Sequence, residues 1–142
     1  MAGVTASNDD GIDARWDIVF DGGSLGNPGR GYGSYRLRPV GGTWAPAVRM
    51  EHGARITNNE AEYLSLQGAL EALADQVADP GRVAITVYGD SQLVLQQLAG
   101  AWRVRTPSLA PFHAGAKKAL ARFGHAHLVW QRRDRSVALL GH

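Results

Sequence analysis

The strongest constraint on this chain is a change of hydrophobic period near residue 57. Before it, apolar residues alternate. In RWDIVFDGG, Trp16, Ile18 and Phe20 fall on one side and Asp17, Val19 and Asp21 on the other, the two-residue period of a strand. YGSYRLRPV and TWAPAVRMEH are also strand-like and are parted by Gly41-Gly42, a hairpin signal. Pro46 places the third run at an edge or a bulge, because proline donates no ladder hydrogen bond. From Thr57 onward, Tyr63, Leu66, Leu70, Leu73 and Val77 recur every three or four residues, the mark of an amphipathic helix. Thr57 is the expected N-cap, Glu60 its capping-box partner, and Asp79-Pro80-Gly81 the stop.

The rest of the chain alternates helices with strands. RVAITVYGD reads as a buried strand rich in β-branched residues. SQLVLQQLAG reads as a short helix capped by Ser91, followed by a loop over 101–108 that holds Trp102. A helix over 108–123 carries Lys117, Lys118 and Arg122, and HAHLVWQRR is a last strand, on which His125 and His127 alternate as sheet-face residues. DRSVALLGH is short and fits no single element. The order β-β-β-α-β-α-α-β predicts an α/β domain with a mixed sheet and helices on its faces.

A chain of 142 residues suits one domain, here expected over 14–142, with the small and polar residues 1–13 as a flexible arm. There is no cysteine, so disulfide frameworks and thiolate metal sites are excluded. No run of 18 apolar residues exists, and MAGVTASNDDGIDAR lacks the basic-then-apolar order of a signal peptide. The expectation is a cytoplasmic monomer without a membrane partner. Charge is uneven. Residues 1–90 hold seven Arg against twelve Asp and Glu, a net −5, whereas residues 91–142 hold eight Lys and Arg against Asp134, a net +7. Such a split fits a cation site beside a surface for a polyanion, and equally a chance segregation of solvated faces.

Three acids fall at informative places. Asp21 ends the first strand, Asp90 ends the fourth, and Glu62 lies in the first turns of the long helix beside the apolar Tyr63. If the first and fourth strands are parallel neighbours, Asp21 and Asp90 share the carboxyl edge of the sheet, where open α/β sheets place their sites. A helix crossing that sheet can bring Glu62 between them. Three such groups repel one another unless a cation joins them, and an oxygen-only set suits Mg²⁺ or Mn²⁺. Each acid also has an ordinary reading: Asp21 as a turn former, Asp90 as a helix-entry residue, Glu62 as a solvated helix residue. The glycine-rich stretch DGGSLGNPGRGYGS is not a phosphate loop, for neither the Walker pattern nor the dinucleotide fingerprint has its required helix after it.

DGGSLGNPGRGYGSY, TNNEAEYLSLQGAL and YGDSQLVLQQLAGAW, in this order and spacing, resemble type 1 ribonuclease H over about Trp16 to Trp130. The resemblance implies a five-stranded mixed sheet in the order 3-2-1-4-5. It implies an endonuclease that cuts the RNA strand of an RNA–DNA hybrid and leaves 5′-phosphate and 3′-hydroxyl ends. Asp21, Glu62 and Asp90 are its implied catalytic carboxylates, holding two Mg²⁺ ions, with Mn²⁺ as a substitute. Asn27, Asn58, Asn59 and Gln92 are implied minor-groove contacts to 2′-hydroxyls and base edges. Trp102, with Thr57, is implied to sit under the DNA strand.

The chain also departs from the family. GAWRVRTPSLAPF is too short for the basic helix and loop of many relatives, so Arg103, Arg105, Lys117 and Lys118 are the candidate phosphate grip, and hybrid affinity is expected to be modest and salt-sensitive. The ending WQRRDRSVALLGH matches a subgroup pattern, W-V-P-R-x-x-N-x-x-A-D, at Trp130 and Arg133, with Ser136 in the place of Asn and Leu140 in the place of a fourth carboxylate. Asp134 is the only acid nearby, six positions early. Arg133 is the candidate for a phosphate or product-release role, and the final helix is expected to be truncated or absent. Beside the nuclease reading stands an alternative, a catalytically weak or inactive hybrid-binding module of the same fold. A related nuclease for another nucleic acid is disfavoured by the TNN motif, which suits 2′-hydroxyl recognition.

Overall fold

In the computed structural model, which describes residues 11–141, the three alternating runs pair as an antiparallel meander. They are β1 (Ala14–Leu25), β2 (Gly29–Pro39) and β3 (Val48–Ile56). The helical period becomes α1 (Asn58–Gln76), and the buried run after it becomes β4 (Val83–Gly89). Then follow α2 (Gln92–Leu98), α3 (Ala110–Leu120), β5 (His125–Trp130) and α4 (Arg133–Leu140). The sheet order is β3-β2-β1-β4-β5, with β4 parallel to both β1 and β5. This is the expected 3-2-1-4-5 arrangement.

The side chains explain the layers. Ile18 and Phe20 of β1 and Val83, Ile85 and Val87 of β4 face α1, whose Tyr63, Leu66, Leu70 and Leu73 are fully buried against them. Each such side chain contributes about 1.5–3 kcal/mol by leaving water. Both predicted caps are present: the Thr57 side chain accepts from the Glu60 N–H while the Glu60 carboxylate accepts from the Thr57 N–H, and Ser91 Oγ accepts from the Val94 N–H. On the opposite face of the sheet, Val19 is fully buried yet stands outside the α1 cluster. There α4 packs mainly against β1 and β2, with Leu140 buried. Arg36 of β2 secures the far end of α4, its Nη1 donating to the Leu139 carbonyl at 2.8 Å while its Nε donates to the Ala45 carbonyl.

One strand boundary is corrected, and two further expectations gain detail. The third strand begins at Val48, not at Thr43, because Pro46 interrupts pairing and the chain from 43 to 47 runs outside the ladder. The ambiguous tail forms an eight-residue helix closed by Gly141 in the left-handed conformation, so the last helix is short but present. Of the expected N-terminal arm, residues 1–10 lie outside the described residues. Ile12 is buried, and Asp13 pairs with Arg82 and donates its N–H to the Arg82 carbonyl at 2.7 Å.

One glycine sets the distance between sheet and helix. A Cβ on Gly22 would lie 2.5 Å from the Ala61 carbonyl oxygen and 2.7 Å from the Glu62 nitrogen, a clash with backbone that no rotamer relieves. The start of α1 therefore rests directly on β1 because residue 22 has no side chain. Gly22→Ala is expected to destabilise the protein by about 2 kcal/mol or more, read as a lower urea midpoint with unchanged slope. An unchanged midpoint would contradict this packing.

Candidate active site

The carboxyl ends of β1 and β4 lie side by side because the two strands are parallel neighbours, in register from Ala14 opposite Val83 to Val19 opposite Tyr88. Asp21 follows two residues after that register and Asp90 follows β4 directly. The close seat of α1 on Gly22 brings Glu62 to the same edge. Each of Asp21, Glu62 and Asp90 offers a carboxylate oxygen, and these atoms all lie within 4.8 Å of one another. Asp21 and Glu62 are buried, at 3% and 5% exposure.

Burial and charge act together on Glu62. Removal from water, then the neighbouring Asp21 and Asp90 carboxylates, push its pKa well above the ordinary glutamate value. The Gly22 N–H, which donates to Glu62 Oε1, acts in the opposite sense and orients the group. The other oxygen, Oε2, is buried and takes no donor from the surrounding backbone, while a side-chain hydrogen bond with Asp21 adds to the upward shift. A buried carboxylate oxygen beside two further acids is the donor set that a hard divalent cation completes. The residues therefore fit such an ion.

The sign of the Glu62 effect is fixed by its direction. A folded-state pKa raised above the unfolded value contributes stability that is complete below the unfolded pKa and is lost as pH rises through the folded one. In the metal-free protein the Glu62 contribution is thus expected to fall as pH rises through its raised pKa. Glu62→Gln, measured with a chelator at neutral pH, is expected to raise the melting temperature by a few degrees and to flatten that pH dependence. A lower melting temperature for the variant would contradict the repulsion.

The polar motif residues cluster at the start of α1. Asn27, beside a cis Asn27–Pro28 bond in the β1–β2 turn, accepts through Oδ1 from the Asn58 N–H at 3.0 Å and so joins the glycine-rich turn to the helix. Asn27, Thr57 and Asn59 line a cleft of about 220 Å³ together with Thr106 and Ser108. Asn59 also lines a larger cleft of about 530 Å³ with Trp102, Arg103 and Arg105, where Trp102 is 46% exposed. Gln92 stands exposed at the first turn of α2, two residues after Asp90. Arg133, at the start of α4, places Nη1 4.0 Å from Asp90 Oδ2.

The place expected for a fourth acid holds none. Leu140 is 2% exposed. Asp134 is solvent-facing and ion-paired with Arg132 at 2.9 Å, so it does not reach the trio. Among the described residues the acidic group is Asp21, Glu62 and Asp90.

Sequence reasoning missed the network that holds the Trp102 loop. Tyr63 donates its hydroxyl to Gln97 Oε1 at 2.5 Å, Gln97 Nε2 donates to the Arg103 carbonyl, and His113 bonds the Gln97 carbonyl at 3.3 Å. Tyr63 looked like one more apolar residue of the α1 stripe. The available signal was its hydroxyl, which needs a partner once buried. Tyr63→Phe is expected to cost about 1–2 kcal/mol and to increase proteolysis within residues 101–106. Unchanged stability and unchanged cleavage of that loop would contradict the network.

A family model described as "Reverse transcriptase-like" matches residues 20–138. The Ribonuclease HI of Halobacterium salinarum is 41% identical over 112 residues, covering 77% of this chain and 52% of that protein. Its crystal structure, titled RNase H1, superposes with a TM-score of 0.78 at 35% identity, covering 88% of this chain and 93% of that one. A bifunctional protein of Mycobacterium tuberculosis is 34% identical over 121 residues, covering 84% of this chain and 32% of that protein. LC11-RNase H1, isolated from compost and solved in complex with an RNA/DNA hybrid, superposes with a TM-score of 0.76 at 26% identity, covering 87% of this chain and 90% of that one. The chain thus spans about a third to a half of the length of the curated relatives it matches.

Proposed function

Because the chain belongs to the type 1 ribonuclease H family, we propose that it is an endonuclease hydrolysing the RNA strand of RNA–DNA hybrids. The observation that carries this reading is the meeting of Asp21, Glu62 and Asp90 within 4.8 Å at the carboxyl edge of the sheet. Two divalent ions, Mg²⁺ or Mn²⁺, are the implied cofactor. When bound, such ions supply an activated water and neutralise charge on the leaving oxygen of an in-line displacement. The ends left are then a 5′-phosphate and a 3′-hydroxyl.

The chain's own residues account for the rest. Asp21, Glu62 and Asp90 hold the ions, and the Gly22 N–H fixes the Glu62 carboxylate for that task. Arg133, within reach of Asp90 and 71% exposed, is placed to grip the phosphate beside the cut or to ease its departure. Asn27, Asn58, Asn59 and Gln92 offer amides that both donate and accept, the chemistry suited to 2′-hydroxyls and base edges. Thr57 and Trp102 take the DNA strand, with Arg103 and Arg105 beside them. A binding module without activity shares this fold, but three close carboxylates serve no purpose in gripping a polyanion. Leu140 and the pairing of Asp134 leave the ions with one acid fewer than the subgroup pattern provides, so the metal concentration needed for activity is expected to be high.

The test is cleavage of an end-labelled hybrid with Mg²⁺ or Mn²⁺. RNA-strand cleavage is expected with the hybrid and not with duplex DNA. Asp21→Asn is expected to lower the rate at least about a hundredfold while hybrid binding persists. Folded protein that is silent with both metals would sink the proposal, and undiminished cleavage by the variant would refute the role of Asp21.

A further inference from the structure

Among the described residues, the sheet face opposite α1 is only partly covered. The short α4 packs mainly against β1 and β2. Over β4 and β5, alternation fixes what that face presents. Val83, Ile85 and Val87 belong to the α1 cluster and Leu128 packs against it, so Ala84, Thr86 and Tyr88, with His125, His127 and Val129, look the other way. They stand in pairs: Ala84 beside His125, Thr86 beside His127, Tyr88 beside Val129.

Two cavities follow this face. One, of about 620 Å³, is lined by Arg15, Thr86, Tyr88, His125 and His127. The other, of about 370 Å³, is lined by Tyr88, Trp130, Gln131, Arg132 and Arg135. Tyr88 is a wall of both, so the two cavities adjoin at that residue and together make a trough over β4 and β5. Its inner end is tied to the acidic site, since the Trp130 indole donates to the Asp90 carbonyl at 3.1 Å. Trp130 is 46% exposed. The lining is rich in arginine and carries the rings of Tyr88, His125 and His127 on this face, with Trp130 at its edge. Among the described residues along it, Asp17 is paired with Arg38 at 2.8 Å and Arg132 with Asp134 at 2.9 Å, and Arg15 and Arg135 also stand there. Arginines for phosphates and rings for base stacking on an open sheet are the means by which proteins hold single strands.

We propose that this trough binds single-stranded RNA, namely the unpaired tail of the strand whose paired part lies on Asp21, Glu62 and Asp90. The proposal rests on the ribonuclease H reading and names a substrate class for it, hybrids with an RNA overhang. Six strand residues at about 3.3 Å each give a trough of roughly 20 Å, room for about four nucleotides, the low end of single-strand site sizes.

The experiment uses the full chain carrying Asp21→Asn, so that binding is read without cleavage. Fluorescence anisotropy compares a short blunt hybrid with the same hybrid extended by about six RNA nucleotides, at the 5′ or the 3′ end. One polarity is expected to bind about tenfold tighter than the blunt hybrid. Adding His127→Glu or Arg135→Glu, both on the trough and outside the acidic site, is expected to abolish that gain and leave blunt-hybrid affinity within about twofold. No gain at either end, an equal gain for a tail on the DNA strand, or a gain that survives both substitutions overturns the proposal alone. A dimer in solution that His127→Glu dissociates would assign the face to a second copy and overturn it too. Failure to bind the blunt hybrid at all would remove the ribonuclease H reading, and the proposal with it.

Discussion

Mutual repulsion among three crowded carboxylates, two of them buried, is the constraint around which this domain is arranged. Two unit charges 4 Å apart cost about 4 kcal/mol at an effective dielectric of 20. Asp21, Glu62 and Asp90 crowd three acids into that range. Nothing in folding favours such a group by itself, so the surrounding structure has to impose it. Parallel pairing of β1 with β4 brings the two aspartates to one edge, and the bare backbone at Gly22 lets α1 set Glu62 against them. The apolar contacts of α1 with the sheet supply the stability that this crowding draws on.

The C-terminal helix turns the same constraint in a particular direction. Held by Arg36 at one end, α4 buries Leu140 and presents Arg133 toward Asp90 at the other. A positive group thus stands next to the acids, while the buried Leu140 takes the place of the subgroup's fourth acid. The shortness of α4 has a second effect, for among the described residues it leaves much of β4 and β5 open on that face. The electrostatics of the acidic site and the accessible polar face both depend on this one short segment.

Much of this was legible in the sequence, for physical reasons. The strands and α1 announced themselves by period, and the caps Thr57 and Ser91 by residue type ahead of a helical run. Asp21 and Asp90 were legible because charge at the end of a buried strand is expensive and so draws notice. The third strand was misplaced by five residues because alternation does not register the missing N–H of Pro46. The role of Tyr63 was hidden, since a tyrosine on an apolar stripe looks the same whether or not its hydroxyl reaches Gln97. The helix over 133–140 was ambiguous because its apolar residues serve a sheet face whose shape only the fold defines. Arg36 gave no signal, its partner lying 103 residues away.

The central claim is that a divalent cation relieves the repulsion of the three acids. The most direct measurement is the melting temperature at neutral pH as Mg²⁺ or Mn²⁺ is added to chelator-treated protein. A concentration-dependent rise of several degrees is expected for the native sequence, because an ion that binds only the folded state stabilises it, and a much smaller rise for Asp21→Asn. A melting temperature indifferent to both metals, or an equal rise in the variant, would contradict it.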